Sequence, residues 1–178
     1  MTIIEEAPAI VPDFGDEDET DRKICFICSK GNLDMAYPAL IMANGALGEG
    51  IETHIFFTFW GMDMINKGTN EKLQFSMLGN TAMHMPGSTA HIPQGLGGLP
   101  GMTAFATKML KDQIADLDIP EVPEFLTMLH DMGATLWACK LSVDMMDLTK
   151  DDMIPEIEDI INVADFMELS EDAQIIFI

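Results

Sequence analysis

Three cysteines carry most of the chemical potential of this chain: Cys25, Cys28 and Cys139. Cys139 has the most suggestive setting. It ends the short apolar run Ala134-Thr135-Leu136-Trp137-Ala138, and an amphipathic segment, Leu141 to Leu148, follows at once. If the run is a buried parallel strand, Cys139 lies at the C-terminal edge of a sheet, where open α/β folds bind their ligands. The start of the next helix favours negative charge and therefore a thiolate, the form in which cysteine attacks. Lys140 adjoins the sulfur, and Ser142 and Asp144 lie within one helical turn as candidate tuners. The alternative is an inert cysteine closing a buried strand.

Cys25-Phe26-Ile27-Cys28 matches C-x-x-C, but it falls inside a continuous apolar run. In a strand, residues three apart point to opposite faces, so a local disulfide or shared metal is disfavoured. A zinc site also lacks a second ligand pair. Cys25 reads as core. Cys28 stands at the strand's C-terminal edge and is kept as a second candidate thiol that can approach the Cys139 pocket. His54, in an apolar strand, and His130, at a helix end, supply no base for a Cys–His hydrolase. His84 and His91 are seven apart, too loose to define a metal site. Only Met83-His84-Met85 has the look of a copper site, and most of the sixteen methionines read as core filling. No phosphate-binding glycine motif follows a strand. No cofactor and no metal are expected.

The elements that must position these thiols are legible from periodicity. Residues 1–22, with the run Asp16-Glu17-Asp18-Glu19, read as an acidic mobile arm. Residues 23–178 read as one domain. Strand Lys23–Cys28 is followed by turn chemistry, with Asp34 a plausible N-cap, and a helix from Met35 to Leu47 with Pro38 in its first turn. A strand spans Ile51–Phe59, and a short helix reaches about Asn66. Residues 68–102, rich in glycine and proline, read as a long loop placed to cover the sheet edge. Helices are expected over Met102–Leu117, with Phe105, Met109 and Ile114 on one side, and over Val122–Met132. The strand ending at Cys139, its short helix, and a further short helix over 150–158 follow. A weak strand over Asp159–Val163, a helix over Ala164–Ala173 and a strand over Gln174–Ile178 complete the chain. Alternating β and α elements define a three-layer α/β/α sandwich around a mainly parallel sheet of four to five strands.

Composition narrows the function. Nine Lys and Arg against 30 Asp and Glu give a net charge of −21, which repels nucleic-acid phosphates and suits a basic partner. Three cysteines do not make a disulfide framework, and no signal peptide or membrane span is visible. A cytoplasmic location follows.

In order along the chain stand Ser29-Lys30-Gly31-x-Leu33-Asp34, Phe56-Phe57-Thr58-Phe59-Trp60-Gly61, Leu99-Pro100-Gly101-Met102 before Thr107-Lys108-Met109, Ala138-Cys139-x-x-Ser142-x-Asp144-x-Met146, and Ile176-Phe177-Ile178. Over residues 23–178 this succession resembles the DsrE/DsrF-like sulfur-relay family, in particular its longer, peroxiredoxin-like subgroup. The resemblance implies the three-layer fold, homo-oligomers, and a cytoplasmic sulfur carrier or sulfurtransferase. Such a protein accepts sulfane sulfur on a cysteine, as persulfide or thiosulfonate. It hands the sulfur to a TusA-type small carrier, a rhodanese-like protein or a heterodisulfide-reductase-like complex. The subgroup's cysteine falls on Cys139. The smaller relatives' active cysteine has no counterpart, because no cysteine lies between Cys28 and Cys139. A non-catalytic binding module is the second reading. A thiol peroxidase ranks lower, since Thr-x-x-Cys is absent and Arg22 is the sole arginine.

Overall fold

A computed structural model describes residues 21–76 and 99–178. The expected acidic arm, but for its last two residues, and most of the expected 68–102 loop lie outside this range. Among the described residues five strands form one sheet in the order β4-β3-β2-β1-β5, and every strand pairing in it is parallel. They are β1 Lys23–Cys28, β2 Glu52–Phe57, β3 Thr135–Cys139, β4 Ile157–Ile161 and β5 Gln174–Phe177. Helices α1 Leu33–Gly48, α2 Met102–Ala115, α3 Val122–Asp131, α4 Lys140–Met145 and α5 Val163–Leu169 connect them. Helices lie on both sides of the sheet, so the architecture is the three-layer α/β sandwich.

Strand alternation divides the interior into two clusters. Phe26, Cys28, Ile55, Phe57, Leu136 and Ala138 meet the apolar stripes of α1 and α3, including Ala36, Leu40, Ala43, Phe125 and Leu129. The opposite face presents Cys25, Phe56, Cys139 and Ile161 to Phe166 of α5. There the Phe56 and Phe166 rings stack with centroids 4.5 Å apart. Central strands buried on both faces require near-continuous apolar runs; β1 has one, and β2 has Ile55-Phe56-Phe57 in its C-terminal half, with Thr53 and His54 buried before it.

Local departures from the sequence expectations have physical reasons. Helix α1 begins at Leu33, with Asn32 rather than Asp34 at the N-cap position. Asp34 instead uses its carboxylate to accept from the backbone N–H and hydroxyl of Ser76, at 2.8 and 2.9 Å. Pro38 therefore falls in the second turn, where its missing N–H leaves the Asp34 carbonyl without its helical donor. The helix expected over 150–158 is one 3₁₀ turn, Lys150–Asp152. Pro155 disfavours helical backbone before it, and β4 begins two residues earlier than expected. Helix α2 is peripheral. Ala106 is its one buried residue; Leu110 and Ile114 pack partly buried against the core, while Phe105 is 52% exposed.

The order of the strands reverses between β1 and β5, the place where open sheets form a ligand crevice. That crevice is closed by the chain itself: the Ile178 carbonyl accepts from the backbone N–H (2.7 Å) and the hydroxyl (2.9 Å) of Ser29. Accessible chemistry at the C-terminal edge shifts to the tops of β2, β3 and β4.

Candidate functional site

The register sets the site. Phe57 of β2 pairs with Ala138 of β3, so the next residues, Thr58 and Cys139, stand side by side where both strands leave the sheet. Thr58 is extended, and Phe59 then turns the chain with a φ of 46° into a 3₁₀ helix, Phe59–Met64. Left-handed backbone is uncommon for so bulky a residue and persists only where its surroundings enforce it. Two glycines enforce it here. A Cβ on Gly61 would overlap the Cys28 carbonyl, and one on Gly31 would overlap the Trp60 carbonyl and the Asp63 side chain. The 58–64 turn thus seats directly on the end of β1, tied by a Thr58 N–H to Cys28 carbonyl bond of 3.0 Å.

From this seat the turn reaches α4. The Phe59 N–H donates to the Ser142 hydroxyl at 2.7 Å, and the Thr58 and Ser142 hydroxyl oxygens are 3.1 Å apart. Both side chains are buried. Cys139 stands next to them, beside Thr58 by strand register and at the N-cap of the helix that carries Ser142. Burial works to raise its pKa, but hydrogen bonds from the Thr58 hydroxyl, the Ser142 N–H and hydroxyl, and the Leu141 N–H outweigh burial and hold the thiol below its ordinary value. Hydrogen bonds to the charged form are what stabilise a buried thiolate.

The other two thiols go the other way. Burial pushes Cys25 up to about 11 and Cys28 up to about 12. Cys28 is 1% exposed and packs on the α1 side, whereas Cys139 belongs to the α5 side. With β2 between their strands, the two backbones are about 10 Å apart and the side chains point away from each other. Cys28 and Cys139 are therefore not brought together.

Among the expected tuners, Ser142 is one of the donors that lower the Cys139 pKa. Lys140 and Asp144 are not. The Lys140 ammonium lies 3.1 Å from both Asp144 carboxylate oxygens, an exposed i,i+4 pair. Thr58 and the Phe59 N–H are site groups that the sequence reading missed. The signal was available in principle, since parallel neighbours β2 and β3 must bring the residue after Phe57 beside Cys139. Cys139 itself is only 5% exposed. Phe59, Trp60, Leu141 and Met145 are exposed on the two elements that meet over it.

A second polar cluster lies lower on the same face. His54 is buried, with Nδ1 against the Thr135 hydroxyl and Nε2 2.8 Å from Glu52. The Trp137 indole N–H donates to the same hydroxyl at 3.1 Å. Burial holds His54 below its ordinary pKa despite the Glu52 carboxylate. This group braces the sheet at its N-terminal end, far from Cys139 along β3. Among the described residues no set of His, Cys, Asp and Glu side chains is grouped to hold a metal, and no helix is long and apolar enough to cross a membrane.

Parallel sheet, two-sided core and a cysteine at the strand edge define an open α/β sandwich with a candidate thiol site, and comparison with known proteins gives its family. Residues 20–178 match the DsrE/DsrF/DrsH-like family. The chain belongs to that family. It is 32% identical over 155 residues to the sulfur carrier protein DsrE2 of Allochromatium vinosum, covering 86% of this chain and 96% of that one. It is 26% identical over 165 residues to the uncharacterized protein YrkE of Bacillus subtilis, covering 88% of this chain and 96% of that one. Among solved structures, MTH1491, a protein of unknown function from Methanobacterium thermoautotrophicum, superposes with a TM-score of 0.55 at 9% identity. That match covers 89% of this chain and all of the other. At that identity the likeness speaks for the fold alone.

Proposed function

We propose that this protein is a cytoplasmic sulfur carrier that accepts sulfane sulfur on Cys139 and passes it to a partner protein. The observation that carries the reading is the place of Cys139 at the C-terminal edge of β3, beside the hydrogen-bonded group of Thr58, the Phe59 N–H and Ser142, while Cys25 and Cys28 are buried within β1. The same group holds the Cys139 thiol below its ordinary pKa, and burial drives the other two above theirs. The similarity to a named sulfur carrier supports the same role.

The chemistry is thiol–disulfide-type exchange. The Cys139 thiolate attacks the sulfane sulfur of a persulfide donor. The donor's S–S bond breaks, its electron pair leaves on the donor thiolate, and Cys139 becomes the persulfide. With tetrathionate the product is a thiosulfonate and the leaving group is thiosulfate. Neither step needs an external oxidant, a metal or an organic cofactor. The exposed apolar residues Phe59, Trp60, Leu141 and Met145 suit docking of a carrier of the TusA type, a rhodanese-like protein or a heterodisulfide-reductase-like complex. The net charge of −21 suits a basic docking face on that partner. A homo-oligomer is part of the same reading.

Incubation with tetrathionate or polysulfide, followed by intact mass, tests it. Wild type gains sulfur or thiosulfonate mass, and Cys139→Ser does not. Labelling that survives Cys139→Ser and disappears with Cys28→Ser moves the site to Cys28, and no adduct at all favours the binding module.

A further inference from the structure

We propose that Thr58 and Ser142 form a hydroxyl clamp on the inner sulfur of Cys139 that makes the residue a good leaving group, so that the clamp serves unloading rather than loading. The inference rests on the carrier reading and adds to it a positioning residue, Thr58, and a direction.

Proton bookkeeping at the two hydroxyls shows why. The Ser142 oxygen already accepts from the Phe59 N–H at 2.7 Å, so its own proton is free to be donated. Two acceptors are available, the Thr58 oxygen at 3.1 Å and the sulfur of Cys139, which the strand register sets beside Thr58 and which caps the helix that carries Ser142. Against a neutral thiol the two hydroxyls satisfy each other. Against a thiolate both turn to the sulfur, and the Phe59 N–H polarises the Ser142 donor. Both side chains are buried, so the donors stay aimed at one point. The left-handed Phe59 fixes the peptide that supplies the third member.

That point is Sγ, and the loaded state moves charge away from it. In the persulfide the ionised atom is the outer sulfur, about 2.05 Å beyond Sγ. The clamp therefore stabilises the bare thiolate more than the persulfide anion. In unloading, an acceptor thiolate attacks the outer sulfur and a new S–S bond forms to the acceptor. The Cys139 Sγ–S bond breaks, and its electron pair settles on Sγ within the clamp. A proton on the outer sulfur travels with it. A thiol of lower pKa leaves faster and attacks more slowly, so one set of hydrogen bonds acts with opposite signs on the two half-reactions.

The test separates those half-reactions. Wild type, Thr58→Val and Thr58→Ser are first titrated by the pH dependence of iodoacetamide alkylation. At a pH where Cys139 of every variant is ionised, each is loaded with polysulfide, freed of excess reagent and mixed with glutathione, with intact mass followed through both steps. Thr58→Val is expected to titrate at higher pH, to load at the wild-type rate or faster, and to unload roughly three- to tenfold more slowly. Thr58→Ser, which keeps the hydroxyl, restores both the titration and the unloading rate. Unloading of Thr58→Val at the wild-type rate overturns the clamp. So does an equal fall in loading and unloading with an unmoved alkylation profile, the mark of a purely structural role. A wild type that never loads overturns the carrier reading itself.

Discussion

Gly61→Ala tests whether the fold at the end of β1 sets the chemistry of a sulfur two strands away. An alanine Cβ at this position would overlap the carbonyl oxygen and carbon of Cys28 and come within 3.4 Å of the Ser29 nitrogen. All three are backbone atoms, so no side chain can swing aside. Overpacking of this kind costs about 1–3 kcal/mol. The reduced entropy of the unfolded chain returns about 0.4–1 kcal/mol, which leaves a net loss of about 1–2 kcal/mol. Relief comes from lifting the 58–64 turn off β1. That motion stretches the Thr58 N–H to Cys28 carbonyl bond and draws the Thr58 hydroxyl and Phe59 N–H away from Ser142 and Cys139. The Cys139 thiol then loses donors and titrates at higher pH. Gly45→Ala is the control, with open space around its Cβ inside α1; it stabilises by roughly 0.5–1 kcal/mol and leaves the thiol alone. Urea melts followed by tryptophan fluorescence read the first quantity, and the pH dependence of iodoacetamide alkylation reads the second. A Gly61→Ala protein with wild-type stability and an unmoved alkylation profile refutes the mechanical link.

Other consequences follow from the buried titratable groups. Cys28, raised from 9.0 to about 12, contributes stability that is complete below pH 9 and is lost as pH rises through about 12, on the order of 4 kcal/mol in all. Urea melts across that window should show a flatter alkaline decline for Cys28→Ala than for wild type. His54 is held below its ordinary 6.5, so its contribution is present above that value and is lost as pH falls through the folded-state pKa. An acid titration of stability should steepen below about pH 6.5, and His54→Gln should remove that component. Lys140→Gln breaks only an exposed pair, so it should change stability by less than about 1 kcal/mol and leave the alkylation profile in place.

The sequence showed the scaffold more fully than the site. β1 was readable to the residue because a run buried on both faces admits no other pattern, and turn chemistry bounds it. The opposition of Cys25 and Cys28 followed from strand period alone, and the two clusters show it directly. Helix α2 sets Ile114 against the core but leaves Phe105 exposed, because periodicity reports a stripe, not what covers it. At the site, Ser142 was found by its sequence distance from Cys139, but the same argument promoted Lys140 and Asp144, which pair with each other instead. Thr58 was invisible to local spacing. Its contact with α4 spans 84 residues and depends on β2 lying next to β3, information that strand order carries and motif spacing does not.

The most direct measurement asks which cysteine holds the sulfur. The polysulfide-treated protein is trapped with an alkylating agent under native conditions, digested and mapped by tandem mass spectrometry. Added sulfur is expected on the peptide containing Cys139, with bare thiols, unreactive until unfolding, at Cys25 and Cys28. Sulfur on the Cys25–Cys28 peptide, with Cys139 unmodified, would contradict this.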